Sequence, residues 1–122
     1  MITHFNWTNE CEATLNISGD HPFFAGHFPQ NPILPAVAVI EITREFLHQG
    51  FSRRGNISVA ELIAPLSITN AKFTRPIGPN AFLTLRIQMA VESRQNCRVH
   101  WTDNTSGVEV AVLDILLISA GL

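Results

Sequence analysis

Cysteine is scarce in this chain: Cys11 and Cys97 are the only two, far apart and without a paired spacing. That excludes a disulfide framework, and it excludes a cysteine-built structural zinc site. Charge is sparse as well. Charged residues make up 15% of the sequence and the formal net charge is −2, so no basic face suited to nucleic acid is expected. The most apolar segment, Val110 to Leu122, is interrupted by Asp114. It falls short of the roughly 20 apolar residues that span a bilayer, so no membrane partner is expected. The opening Met1 to Asn6 has no basic segment leading into an apolar stretch, so no signal peptide is expected. Internal repeats, low-complexity runs and linker composition are also missing. What remains is a globular composition, 46% apolar over 122 residues, which is enough for one core. The expectation is a single domain over residues 1–122, cytoplasmic, with reduced thiols.

Along the chain, Glu12 to Ser18 alternates polar and apolar residues as a half-buried strand does, and Gly19-Asp20 closes it as a turn. Pro22 to Pro35 is rich in proline and aromatics and fits neither regular helix nor central strand. Ala36 to Gln49 has no helix breaker, follows a proline and ends at Gly50, which predicts a helix. Its first half is apolar on every side, so something is expected to wrap it. Downstream, Ile57 to Ile63, Leu66 to Phe73, Ala81 to Glu92, Cys97 to Thr102 and Glu109 to Ile118 read as strands. One long buried helix followed by consecutive strands predicts an α+β domain, an antiparallel sheet wrapped around a single central helix.

The loop ahead of the helix carries the most specific pattern. His27 is followed by Phe28-Pro29, then by Pro32 and Pro35, and Glu41 lies fourteen positions after the histidine. Further on, Ala71 to Pro79 contains Phe73-Thr74-Arg75-Pro76-Ile77-Gly78-Pro79. Together these segments resemble the 3-hydroxyacyl-[acyl-carrier-protein] dehydratases of bacterial fatty acid synthesis, which share the hot-dog fold. The resemblance covers the core of the chain from about His21 to Pro79. It implies His27 and Glu41 as the catalytic pair, His27 of one subunit meeting Glu41 of the other in a homodimer or a dimer-based oligomer. It also implies Phe28, Pro35 and Ala36 as substrate-binding residues. The partner it implies is acyl carrier protein with a pantetheine-linked acyl substrate, and no metal or separate cofactor is expected.

The residue types suit that chemistry. Dehydration of a 3-hydroxyacyl thioester takes a proton from the carbon beside the carbonyl, and a neutral histidine is a suitable base. The hydroxyl must leave as water, which requires an acid that has kept its proton. Glu41 follows Val37, Ala38, Val39 and Ile40. Burial in that apolar half would favour its neutral form. The thioester carbonyl needs a donor as negative charge develops. Free amides at a helix start supply one, and the resemblance places that role on Ala36.

The sequence also departs from the family pattern. Ala36 stands where glycine is usual, Glu45 stands where glutamine is common, and the family's Pro-Gly-Asp turn is Pro79-Asn80-Ala81. Glu45 lies on the same helix face as Glu41, four residues on, where two carboxylates repel. These differences point to a specialised member, serving a polyene or polyketide-like pathway. His4, His21, His48 and His100 read as structural, and Glu41 taken alone would read as a surface partner of Arg44. Arg53, Arg54, Lys72 and Arg75 are candidates for meeting an acidic carrier protein, with ordinary solvated charge as the simpler reading. Two rival functions share the pattern. A thioesterase would release a free acid from the same fold. A non-catalytic acyl-binding partner subunit would account for the alanine at position 36.

Overall fold

Alternation at period two governs the strands, and it sends one residue in two toward a single helix. The structure, a computed structural model, describes residues 4–24, 33–54, 66–89 and 96–117. Among these the chain forms β1 (Asn6–Asn9), β2 (Glu12–Ile17), α1 (Ala36–Arg54), β3 (Leu66–Phe73), β4 (Ala81–Met89), β5 (Asn96–Asp103) and β6 (Val108–Leu117). A single 3₁₀ turn occupies Pro22–Phe24. The six strands make one antiparallel sheet in the order β1-β2-β4-β5-β6-β3, so β1 and β3 are its edges.

The inward face is built by Ala13, Leu15 and Ile17 of β2, Leu83, Leu85 and Ile87 of β4, Val99 and Trp101 of β5, and Leu113 and Ile115 of β6. Ala38, Val39, Ile42, Phe46, Leu47 and Phe51 of α1 complete that core. Register shifts at Ile68/Asn70 and Trp101/Thr102 mark bulges, which sharpen the twist that lets a sheet curl over one helix. The predicted architecture is therefore the observed one. Strands predicted at Glu12 to Ser18, Leu66 to Phe73, Cys97 to Thr102 and Glu109 to Ile118 match β2, β3, β5 and β6 within a residue or two at each described end. The strand predicted from Ala81 runs to Met89, and residues 90–95 lie outside the described ones, as does the predicted strand at 57–63.

Two elements differ from expectation. Edge strand β1 has no alternation to announce it, because its sequence is Asn-Trp-Thr-Asn. The helix, predicted to end at Gly50, continues to Arg54. Glycine is there for room and not for a cap. A Cβ on Gly50 would stand 2.9 Å from Cη2 of Trp7. The Trp7 ring stacks on Phe46 at 5.1 Å and 5°, and the Arg53 guanidinium lies 5.2 Å from its centroid.

The departure at Asn80 is also explained. Its φ of 62° is left-handed backbone, which asparagine tolerates better than most residues. Its N–H donates to Ile17 O at 2.7 Å, and its Oδ1 accepts the Gly19 N–H at 3.1 Å. Asparagine thus keeps the turn and adds a tie to the end of β2.

Candidate active site

The first turn of α1 begins where proline stops supplying donors. Pro35 O accepts the N–H groups of Ala38 and Val39 at 3.0 and 3.2 Å, while the amides of Ala36 and Val37 have no intrahelical carbonyl within reach. Just before this turn, Leu34 N–H donates to Ile77 O at 2.8 Å. That bond fastens the pre-helix segment to the stretch after β3. The two motif segments, 40 residues apart in sequence, are therefore neighbours in space. Between them lies a cleft of about 320 Å³, lined by Ile33, Leu34, Ala36, Val39, Phe73 and the Thr74–Ile77 stretch. Its walls are largely apolar, with the positive end of the helix dipole at its floor. Such a cleft suits an apolar chain ending in a polar, electron-rich group.

Among the described residues, one side of α1 is left open. At about 100° per residue, Ala36, Val37, Ile40, Glu41 and Arg44 share one side of the helix, opposite the sheet. Ala36 is exposed, Val37 is 61% exposed and Ile40 is half-buried. The apolar half of the helix, expected to be wrapped, is covered by the sheet on one side only.

Glu41 sits on this open stripe, which corrects the expectation of a buried carboxyl. Its side chain is 49% exposed, and Oε1 accepts from Arg44 Nη1 at 3.3 Å. The surface pairing that the apolar neighbours argued against is present, because Val37 is itself exposed and Ile40 only half-buried among the described residues. Glu45 is half-buried one turn further on. Ala36 and Pro35 lie where predicted, at the helix start, with Ala36 in the cleft wall. His27 and Phe28 lie outside the described residues. The motif reading named the two segments but not Ile33, Val39 or Ile77 as cleft residues. For Ile33 and Ile77 the available signal was an apolar residue between prolines, and for Val39 the apolar first half of the helix.

Two of the remaining histidines, His21 and His100, take structural positions. His21 Nδ1 accepts the Phe23 N–H at 3.2 Å and its ring packs on Phe23 at 4.7 Å. His100 lies on the outer face of the sheet, its ring nitrogens 2.7 Å from Glu109 Oε2 and 2.7 Å from Gln88 Oε1. His4 and His48 are exposed. Beside His100, Arg98 Nε donates to Asp114 Oδ1 at 2.6 Å, and this hydrogen bond holds the Asp114 carboxyl below its ordinary pKa. Among the described residues, no group of three or more His, Cys, Asp or Glu could hold a metal ion, and no helix is long and apolar enough to cross a membrane.

A sheet curled over one long helix, with a cleft at the helix start, defines a hot-dog domain. The same fold appears in solved structures. The dehydratase heterocomplex ApeI:P from Xenorhabdus doucetiae superposes with a TM-score of 0.61 at 23% identity, over 95% of this chain and 97% of that one. A 1,4-dihydroxy-2-naphthoyl-CoA thioesterase from Synechocystis superposes with a TM-score of 0.61 at 12% identity, over 90% of this chain and 82% of that one. In sequence, the 3-hydroxyacyl-[acyl-carrier-protein] dehydratase FabZ of Aeromonas hydrophila subsp. hydrophila is 31% identical over 105 residues, 85% of this chain and 69% of that protein. The ApeI dehydratase family profile matches residues 4–111. The chain belongs to the ApeI-like dehydratase family, a divergent branch of the FabZ-type hot-dog dehydratases.

Proposed function

We propose that this chain removes water from 3-hydroxyacyl groups carried on acyl carrier protein, giving trans-2-enoyl thioesters for fatty acid or polyene-type synthesis. The observation that carries the reading is the placement of Glu41 on an open, apolar stripe of α1, one turn from a cleft built by both motif segments. The pantetheine-linked acyl group enters that cleft. The Ala36 amide, at the positive end of the helix, donates to the thioester oxygen as it gains charge. His27 takes the proton from the carbon beside the carbonyl. Glu41, protonated, gives its proton to the 3-hydroxyl, whose C–O bond breaks as the carbon–carbon double bond forms. Water leaves, and the proton on His27 returns to Glu41 through solvent. No electron is gained or lost, so the reaction calls for no redox cofactor.

A carboxyl serves as an acid most readily where water is excluded from it. The reading therefore includes a second subunit seated on the Ala36-Val37-Ile40 stripe, with His27 arriving from that subunit. Among the described residues β3, Leu66–Phe73, is an edge of the sheet, which supports the same assembly, since an open edge strand is a template for pairing. A second copy of this chain is the occupant proposed. A related but different subunit, as the heterocomplex from Xenorhabdus is described, is the alternative outcome.

The test is mass spectrometry of 3-hydroxyacyl thioesters on acyl carrier protein, incubated with wild type, His27→Ala and Glu41→Gln. Loss of one water in the wild type is expected, reduced about 10²–10⁴-fold by either substitution. Release of free acid would replace the reading with a thioesterase, whose fold this chain shares. Unchanged substrate at every chain length would make the chain a non-catalytic acyl-binding subunit.

A further inference from the structure

Beneath the open stripe, α1 carries a polar group that the proposed chemistry does not use. Thr43 is the one polar side chain fully buried among the described residues. Its hydroxyl donates to Val39 O at 2.7 Å. With its only proton so committed, the same oxygen accepts from Trp101 Nε1 at 3.0 Å. Trp101, on β5, is itself completely buried.

A valine and a phenylalanine would fill similar space without any polar atom to satisfy. A threonine bonded back to its own helix is, if anything, mildly unfavourable there. What the pair supplies is direction. Apolar packing is non-directional and tolerates small rotations of a helix over a sheet. A hydrogen bond weakens steeply as its angle opens, so it selects one rotation.

That rotation decides where Glu41 points. Thr43 follows Glu41 by two residues, about 200° around the helix, which places them on opposite sides. A rotation of about 10° would carry a carboxyl roughly 6 Å from the axis through about 1 Å. Misplacement by that distance can cost on the order of 10²-fold in rate.

We propose that Thr43 is a positioning residue: its hydrogen bond with Trp101 sets the rotation of α1 on the sheet and so aims the Glu41 carboxyl. The catalytic part of this inference rests on the reading of Glu41 as the acid. Thr43→Val removes the acceptor and keeps the shape, Thr43→Ser keeps the acceptor, and Trp101→Phe removes the donor. Each folded variant is assayed for kcat and KM on 3-hydroxyacyl-carrier substrate. The Glu41 carboxyl resonance is followed by ¹³C NMR in the same full-length proteins.

Thr43→Val and Trp101→Phe are expected to lose about 10-fold or more in kcat, with KM within about 2-fold, and to shift the Glu41 resonance. Thr43→Ser is expected to behave as wild type. If Thr43→Val does not fold, Trp101→Phe reports on the same bond. A folded variant without the bond that keeps wild-type kcat and an unmoved Glu41 resonance would overturn the inference, even if it melts earlier. A wild type that dehydrates nothing would sink the functional reading instead. The resonance would then still decide the positional claim, supporting it if it moves in Thr43→Val but not in Thr43→Ser, and overturning it otherwise.

Discussion

Replacing Gly50 with alanine should destabilise the protein, although the same change in an ordinary helix interior stabilises it. The helix-propensity gain is about 0.8–1.0 kcal/mol. Against it stands a methyl placed 2.9 Å from Cη2 of Trp7 and 3.4 Å from Cδ1 of Ile87. The indole has little freedom to retreat, since Phe46 stacks on it at 5.1 Å and Phe5 lies 6.1 Å away. Overpacking of this kind costs about 1–3 kcal/mol, so a net loss near 1 kcal/mol is expected. The sign should reverse when the indole is removed. In a Trp7→Ala background the nearest atom left to the added methyl is Cδ1 of Ile87, at a tolerable 3.4 Å, and Gly50→Ala should gain up to about 1 kcal/mol. The four proteins form a double-mutant cycle with a coupling energy of roughly 2 kcal/mol. Urea unfolding followed by far-UV circular dichroism measures it, at one fixed protein concentration because the proposed assembly would contribute to apparent stability. If Gly50→Ala stabilises both backgrounds equally, the close approach of Trp7 does not explain this glycine.

Two further outcomes are expected from other parts of the molecule. The folded Asp114 carboxyl titrates below its unfolded value of about 3.9, so its pairing with Arg98 stabilises the fold above that pH and is lost as pH falls through the lower folded value. The stability advantage of wild type over Asp114→Asn should therefore be constant from about pH 7 to 5 and shrink below about pH 4, as acid-unfolding curves would show; an advantage independent of pH would refute the assignment. Val37→Glu, on the open stripe of α1, should convert the assembled protein to single chains in light scattering after size exclusion. Phe82→Glu, an exposed residue on the outer face of β4, should leave assembly intact, and equal effects would argue against the stripe as the interface.

Much of the fold was legible because period-two alternation survives in every central strand. Leu83, Leu85 and Ile87 on β4 and Val99 and Trp101 on β5 each announce a buried face. Where alternation is absent the reading fails, as at β1, whose Trp7 contributes through one large side chain and not through a pattern. Gly50 misled for a related reason. Glycine signals both a helix end and a close approach, and only the position of Trp7, forty-three residues earlier, distinguishes them. Likewise the bond between Thr43 and Trp101 joins residues fifty-eight apart, and neither residue type advertises it.

The site divides along the same line. The Pro35 and Phe73–Ile77 segments stood out by the pattern each carries, and the bond from Leu34 to Ile77 makes them neighbours. Burial of Glu41 was inferred from apolar neighbours, but neighbours along a helix do not say what lies across from them. Among the described residues Val37 is apolar and yet exposed, and Ile40 is only half-buried. A stripe of that kind carries a free-energy cost while it faces water, at about 25 cal/mol per Å² of apolar surface. The apolar first half of α1 thus encodes a demand that the described residues meet only in part. Within one chain, Glu41 between Ala36 and Arg44 is a surface carboxylate held by a guanidinium. On the proposed dehydratase reading, a subunit covering the stripe would also remove water from that carboxyl, so assembly and completion of the site would coincide.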